Sequence, residues 1–282
     1  KKRQGVSVAE IKAKTGFSRA YINRFLSQCK EEGKIVQIGQ TNKTRYVIAD
    51  KNAITAAKKE ILSTYKKLKN KNLSEDVILE QIKRETGIFD GLKKNVAEIL
   101  DYGFTEMLNN AIEHSQSKEI EIKFQRAEGL IKFSVVDQGI GIFVNIMQRR
   151  NLDSIQEAIQ DLLKGKQTTA PEEHTGEGIF FTSRAADMLV ISSSGKKLAF
   201  NNNLNDIFVQ NGKIIKGTKV VFTIADNSKR SLRAIFREYV GNTFEFDATK
   251  VAVRLYKMGN NYISRSQARR IVSGLDKFKT VI

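Results

Sequence analysis

Apolar residues along this chain recur at two spacings, and the switch between them marks its units. In residues 5–50, Val8, Ile11 and Ala13 predict a short amphipathic helix, closed by Thr15-Gly16-Phe17. Ser18 can cap a second helix in which Tyr21, Ile22, Phe25, Leu26 and Cys29 recur at helical spacing, and Gly33 stops it. Ile35-Val36-Gln37-Ile38 and Arg45-Tyr46-Val47-Ile48 then read as two strands joined by the polar turn Gly39–Thr44. Residues 51–90 read as a basic helical connector, able to serve in dimerisation, with an apolar stripe of Ala53, Ile54, Ala57, Ile61, Leu62 and Leu68. Asn70-Lys71-Asn72 breaks it, and Ser74 caps a further helix through Thr86.

From Leu92 a long helix is expected to about Ser115, followed by strands at 120–124 and 130–136 and a glycine turn. A helix-rich polar stretch at 150–165, a second glycine turn at 175–178 and a helix near 179–187 come next. Strands at 188–193, 197–200, 206–210 and 218–224 complete the pattern. Sequential strands with segregated helices predict an α+β fold: a sandwich of a mixed, mostly antiparallel sheet with helices on one face. The divisions that follow are 1–50, 51–90, 91–226 and 227–282.

Composition narrows the setting. No run of 18 apolar residues exists among the 282, so no membrane helix is expected. Lys1-Lys2-Arg3-Gln4 lacks a signal peptide's apolar core, and the single cysteine, Cys29, has no internal disulfide partner; both suit the cytoplasm. Net charge is +17, and residues 1–70, with 17 Lys and Arg against 5 Asp and Glu, hold about +12 of it. That asymmetry points to a polyanion at the N-terminal end, against the plainer reading of a lysine-rich soluble surface. Helix, tight turn, helix and hairpin is the order of a winged helix-turn-helix, whose second helix enters the DNA major groove. Its outward residues would be Arg19, Asn23, Arg24 and Gln28, with Lys43 and Arg45 at the hairpin, side chains suited to base edges and phosphates. Winged helices also dock proteins, so a protein partner stays open.

Four segments carry candidate chemistry. In Glu106-Met-Leu-Asn-Asn110-Ala-Ile-Glu-His114, Glu106, Asn110 and His114 follow one another at one-turn spacing on a single helix face. A carboxylate there can orient or deprotonate a nucleophile, and an amide oxygen one turn on can hold Mg²⁺. Asp137-Gln-Gly139-Ile-Gly141 follows an apolar strand; the acid can accept an adenine amine, and the glycines let backbone approach a flat ring. His174-Thr175-Gly176-Glu177-Gly178 leads into a helix, where free N–H groups suit phosphate, and upstream Lys164, Lys166, Thr168 and Thr169 offer cations and hydroxyls. Gly217-Thr218 opens the last strand with a hydroxyl within reach of a bound base. No G-x-x-x-x-G-K-[ST] run occurs, which excludes a P-loop.

In this order and at these intervals, the four segments resemble the GHKL superfamily (gyrase, histidine kinase, MutL), the Bergerat fold, over about 130 residues. The resemblance implies ATP with Mg²⁺ as cofactors: Asn110 on the metal, Asp137 on adenine, and Gly139, Gly141, Gly176, Gly178 and Thr218 around the nucleotide. Histidine kinases usually carry Asn where Glu106 stands and need an acceptor histidine, whereas His114 and His174 both fall inside the nucleotide motifs. Phosphorelay on histidine is therefore not expected; His114 is expected to shape the phosphate pocket, alongside Lys166 and Thr175. Thr105–Ser115, Gly165–Thr169 and His174–Arg184 further resemble a bacterial regulator group with a winged helix in front and a STAS-like domain behind. Residues 242–282 fit the opening of such a domain and stop inside an apolar strand, so an incomplete domain is expected. The implied function is an ATP-hydrolysing regulator coupled to DNA, alternatively a Ser/Thr kinase of the anti-sigma type acting on a STAS partner, with homodimerisation open.

Overall fold

The computed structural model describes residues 5–39, 43–164 and 177–239, together with two short strands at 248–249 and 280–281. Ser7 starts α1 (Val8–Thr15) reciprocally: its hydroxyl accepts from the Glu10 N–H at 3.2 Å, while the Glu10 carboxylate accepts from the Ser7 N–H at 2.8 Å. Ser18 caps α2 (Arg19–Glu31) by accepting from the Tyr21 N–H at 3.2 Å. β1 (Ile35–Ile38) and β2 (Arg45–Ile48) then pair antiparallel, with Ile35 opposite Ile48. Of the apolar residues expected on one face of α2, Ile22 and Leu26 are buried, but Tyr21 and Phe25 are 47% and 56% exposed, beside Phe17 at 52%. The helix packs chiefly on α1 and β1, a contact wide enough for one row of side chains, and the i, i+4 pair Ile22 and Leu26 fills it.

α3 (Lys51–Ile61) lays Ala53, Ile54, Ala57 and Ile61 on the hairpin, against Val36, Ile38 and Val47. The helix expected to continue past Leu62 does not. Ser63–Lys69 is instead a strand, β3, at the edge of the main sheet, so the 51–90 connector is neither wholly helical nor separate from that sheet. Thr64 and Tyr65 favour extended backbone. Alternation then sends Tyr65, Lys67 and Lys69 outward, while Leu68 packs against the core. Lys66 points its ammonium to Glu85 at 2.7 Å.

The remaining strands are β4 (Glu119–Ala127), β5 (Leu130–Asp137), β6 (Met188–Ser193), β7 (Lys196–Asn201), β8 (Asp206–Asn211) and β9 (Thr218–Ala225). The sheet order is β3-β4-β5-β9-β6-β7-β8, and every neighbouring pair is antiparallel, where a mixed sheet was expected. Tight hairpins enforce this: Glu128-Gly129 and Ser194-Gly195 all hold positive φ, the backbone that two-residue turns between twisted strands require. β9 then returns from β8 and inserts between β5 and β6.

Five helices build on this sheet: α4 (Glu75–Glu85), α5 (Lys94–His114), α6 (Ile142–Arg149), α7 (Ile155–Lys164) and α8 (Glu177–Ala185), with α9 (Leu232–Tyr239) following β9. Alternate residues of the central strands, among them Ile122, Phe124, Ile131, Phe133, Phe222 and Ile224, join Ile99, Phe104 and Leu108 of α5 in one core. Phe133 stacks on Phe222 with centroids 4.7 Å apart, and Phe104 meets Phe133 edge-on at 5.6 Å. The opposite sheet face exposes Glu119, Lys123, Lys132 and Lys219. α6 was not expected; it fills the gap between the glycine turn and the polar stretch, burying Phe143 completely. Of the expected STAS-like tail, the described residues hold only a parallel pairing of β10 (Ala248–Thr249) with β11 (Thr280–Val281).

Phe133 is fully buried where three other rings converge. Phe133→Ala should lower unfolding free energy by about 3–5 kcal/mol, read from urea denaturation followed by circular dichroism. A loss below about 1 kcal/mol would mean this ring cluster does not anchor the domain.

Candidate functional site

Asp137 ends β5 opposite the first residue of β9, since Val136 pairs with Lys219. Its Oδ1 accepts from the Gly139 N–H at 2.9 Å and the Thr218 N–H at 3.2 Å, and the residue is 4% exposed. Burial pushes the carboxyl pKa above the ordinary aspartate value, against the opposing pull of the bonds from Gly139 and Thr218. The Thr218 hydroxyl accepts from the Ile142 N–H at 2.9 Å, tying the start of α6 to the same point. Two glycines make the approach possible. A Cβ on Gly217, whose φ is +76°, would overlap the Asp137 backbone, and one on Gly139 would strike the Ser115 carbonyl. Gly141 precedes α6, close to the Ser193 hydroxyl.

Asp137 and Thr218 line a cavity of about 530 Å³, a volume suited to a small-molecule ligand. Asn110 and His114, one turn apart on α5, line the same cavity, as does Ser115. Met107, Val135, Ile142, Ile146, Ile179 and Val220 give it apolar walls. Sequence reasoning therefore placed four lining residues, Asn110, His114, Asp137 and Thr218, on one site. It missed the wall that α6 and α7 supply: Ile142, Asn145, Ile146, Arg149, Arg150, Asp161 and Leu162. The available signal was the spacing of Ile142, Phe143, Ile146 and Met147 directly after Gly141. Asn145 fixes that wall by donating to the His114 carbonyl at 2.7 Å.

Glu106 sits one turn before Asn110 on α5 but does not line the cavity. Its carboxylate lies against Gly178 at the start of α8, so closely that a Cβ on Gly178 would overlap it. This packing joins the helix motif to the second glycine pair. Lys166, Thr175 and Gly176 lie outside the described residues, as do Thr168, Thr169 and His174.

The N-terminal candidates divide. Arg19, Asn23, Arg24 and Gln28 are exposed along α2. Lys43 is not an open contact: its ammonium pairs with Asp90 at 2.8 Å and its side chain is 12% exposed. The correction has a simple cause, because the hairpin packs on α3 and so faces the segment before α5. Arg45 lies 3.9 Å from Glu10, at the limit of an ion pair.

Among the described residues no group of three His, Cys, Asp or Glu side chains could hold a metal, and no helix is long and apolar enough to cross a membrane. No curated protein sequence matches the chain. Residues 78–201, from α4 through β7 and including Asn110, Asp137 and the α6–α7 wall, match the family model described as the histidine kinase-like ATPase domain.

Proposed function

We propose that the chain is an ATP-binding regulator of the GHKL type, whose nucleotide state is coupled to a DNA-binding winged helix formed by residues 5–50. The observation that carries the nucleotide reading is the convergence of Asn110, Asp137 and Thr218, from three distant segments, on one cavity. Its apolar walls suit a purine, and the buried Asp137 carboxylate at one end suits an exocyclic amine. Asn110 supplies one amide oxygen for Mg²⁺, which would take the rest of its shell from phosphates and water. That fits a site without a carboxylate cage. Mg²⁺ would neutralise phosphate charge there. Glu106, one turn before Asn110 and outside the cavity lining, where its carboxylate meets Gly178 at the start of α8, is the candidate to orient an attacking water or accept its proton.

Support for coupling comes from the N-terminal unit's attachments. The Gly87 N–H donates to the Ile61 carbonyl at 2.9 Å, the Arg126 N–H to the Leu62 carbonyl at 2.8 Å, and Lys43 pairs with Asp90. Support for DNA is the basic charge and the exposed Arg19, Asn23, Arg24 and Gln28.

Three outcomes are expected. Asp137→Asn should weaken ATP binding at least about tenfold, the worth of a charged acceptor, while the domain still folds. Because burial raises the Asp137 pKa, protonation competes with ligand at a higher pH than for an exposed aspartate. Wild-type affinity should therefore fall as pH drops through that window, and the fall should flatten in Asp137→Asn. Calorimetry across pH checks both, and identical profiles for the two proteins would remove Asp137 from the site. Glu106→Gln should keep ATP affinity but slow phosphate release by about 10²–10⁴-fold; label transferred to protein instead of water would redirect the assignment toward a kinase. Duplex DNA affinity should differ with and without a non-hydrolysable ATP analogue, and Arg24→Ala should weaken it about tenfold. A wild-type chain that binds no DNA in either state ends the regulatory half of the proposal.

A further inference from the structure

We propose that Arg149, at the C-terminal end of α6, is the side chain that grips the phosphate chain of the bound nucleotide. The inference rests on the nucleotide reading above and names a contact that none of the four sequence segments contains. Besides His114, the charged side chains lining the cavity are Asp137, Arg149, Arg150 and Asp161. Asp137 is held by backbone donors at the β5–β9 seam. Arg150 lies 3.9 Å from Asp161, at the limit of an ion pair, and Lys164 also lies within electrostatic reach of that carboxylate. Arg149 makes no ion pair or hydrogen bond among the described residues, and it is exposed on the cavity wall.

Its position along α6 follows from two anchors. The Ile142 N–H is bonded to the Thr218 hydroxyl beside Asp137, which fixes the helix start at the base end of the cavity. Asn145 donates to the His114 carbonyl one turn later, which turns that face of α6 toward the end of α5. Arg149 lies one further turn along the same face, about 10 Å from Ile142 at the helical rise. Arg149 thus shares the cavity with Asn110, the proposed Mg²⁺ ligand, and stands far enough from the Asp137 end to reach the phosphates of a nucleotide whose base sits there.

The chemistry favours the side chain over the helix end. The C-terminus of a helix carries partial negative charge and repels an anion, so the backbone here offers phosphate nothing. A guanidinium presents paired N–H donors that match two phosphate oxygens, and it stays charged at any working pH. Asp161 has Arg150 and Lys164 within reach, so it does not depend on Arg149 for a cation.

The test is calorimetric titration of the full chain with adenosine, AMP, ADP and ATP in the presence of Mg²⁺, for wild type, Arg149→Ala and Arg149→Lys. Arg149 is exposed, so neither substitution disturbs the core, and thermal melts check this. Arg149→Ala should weaken ATP binding by about ten- to a hundredfold and leave adenosine within about twofold, with Arg149→Lys recovering part of the loss. The shortest ligand on which wild type and variant diverge identifies the phosphate gripped. Equal weakening for adenosine and ATP would assign Arg149 to the base pocket and overturn the proposal, as would unchanged ATP affinity in Arg149→Ala. A wild type that binds none of the four ligands brings down the nucleotide reading together with this one; a wild type that binds ATP beside an unaffected variant brings down the Arg149 assignment alone.

Discussion

A carboxylate buried across a strand seam organises this molecule. Asp137 belongs to β5, and one of the two N–H groups that reach its Oδ1 belongs to β9, at Thr218. Removing the charge from water is unfavourable, and burial raises the carboxyl pKa against the pull of the backbone bonds from Gly139 and Thr218 and of the Thr218 side chain. Such a group is held by the fold against its own preference for solvent. Both backbone donors bind one oxygen, so acceptor capacity remains on the carboxylate for a ligand that brings a donor of its own. Burial makes that donor more valuable, because a hydrogen bond gains strength where water does not compete.

Everything nearby serves that seam. β9 enters between β5 and β6, returning from β8 at the sheet edge. Gly217 and Gly139 must lack side chains so that two stretches of backbone can close on the acid. The Thr218 hydroxyl then takes the first N–H of α6, a donor with no partner inside its own helix. One threonine thus sets the strand register at the acid and the starting direction of the helix that walls the cavity.

The parts of this arrangement that could be read in the sequence are those whose signal is local. Every strand from β4 to β9 was expected near its observed bounds, and Asn110, His114, Asp137 and Thr218 stand in short glycine or helix motifs, each weak alone, whose order and spacing together carry the reading. Tertiary contact decides what local signal leaves open. Leu62 to Lys69 carries lysines that continue a helix as readily as a strand, and the β4 edge that makes β3 extended lies more than fifty residues away. Tyr21 and Phe25 share an apolar helical spacing with Ile22 and Leu26, and only the width of the contact with α1 and β1 chooses between the two rows. Lys43 is a similar case: as a lone cation at a hairpin it suggests phosphate, and its ion pair with Asp90 is invisible until α3 folds the hairpin back. Arg149 had no motif to mark it at all.

Register also constrains how a ligand could influence the N-terminal unit. β3 starts at Ser63 opposite Gln125, which lies opposite Lys132, whereas Asp137 lies opposite Ile120. The chain from the N-terminal unit thus joins the sheet five β5 residues away from the acid, about 17 Å at the strand rise. A ligand seated on Asp137 does not touch that junction, so a signal between them needs an element with one end at each place. α5 is such an element: it spans about 30 Å, carries Asn110 and His114 at its far end, and begins just after Asp90. The Asp90 carboxylate holds Lys43 of the hairpin and its carbonyl accepts from Arg126. Val96, Ile99, Leu100 and Phe104 are wholly buried along its length, so under the proposed coupling the helix would have to move as one stiff rod within a close-packed core. A shift imposed at Asn110 would then arrive at the Lys43–Asp90 pair as displacement of the whole rod, with no chain of independent side-chain steps needed to carry it.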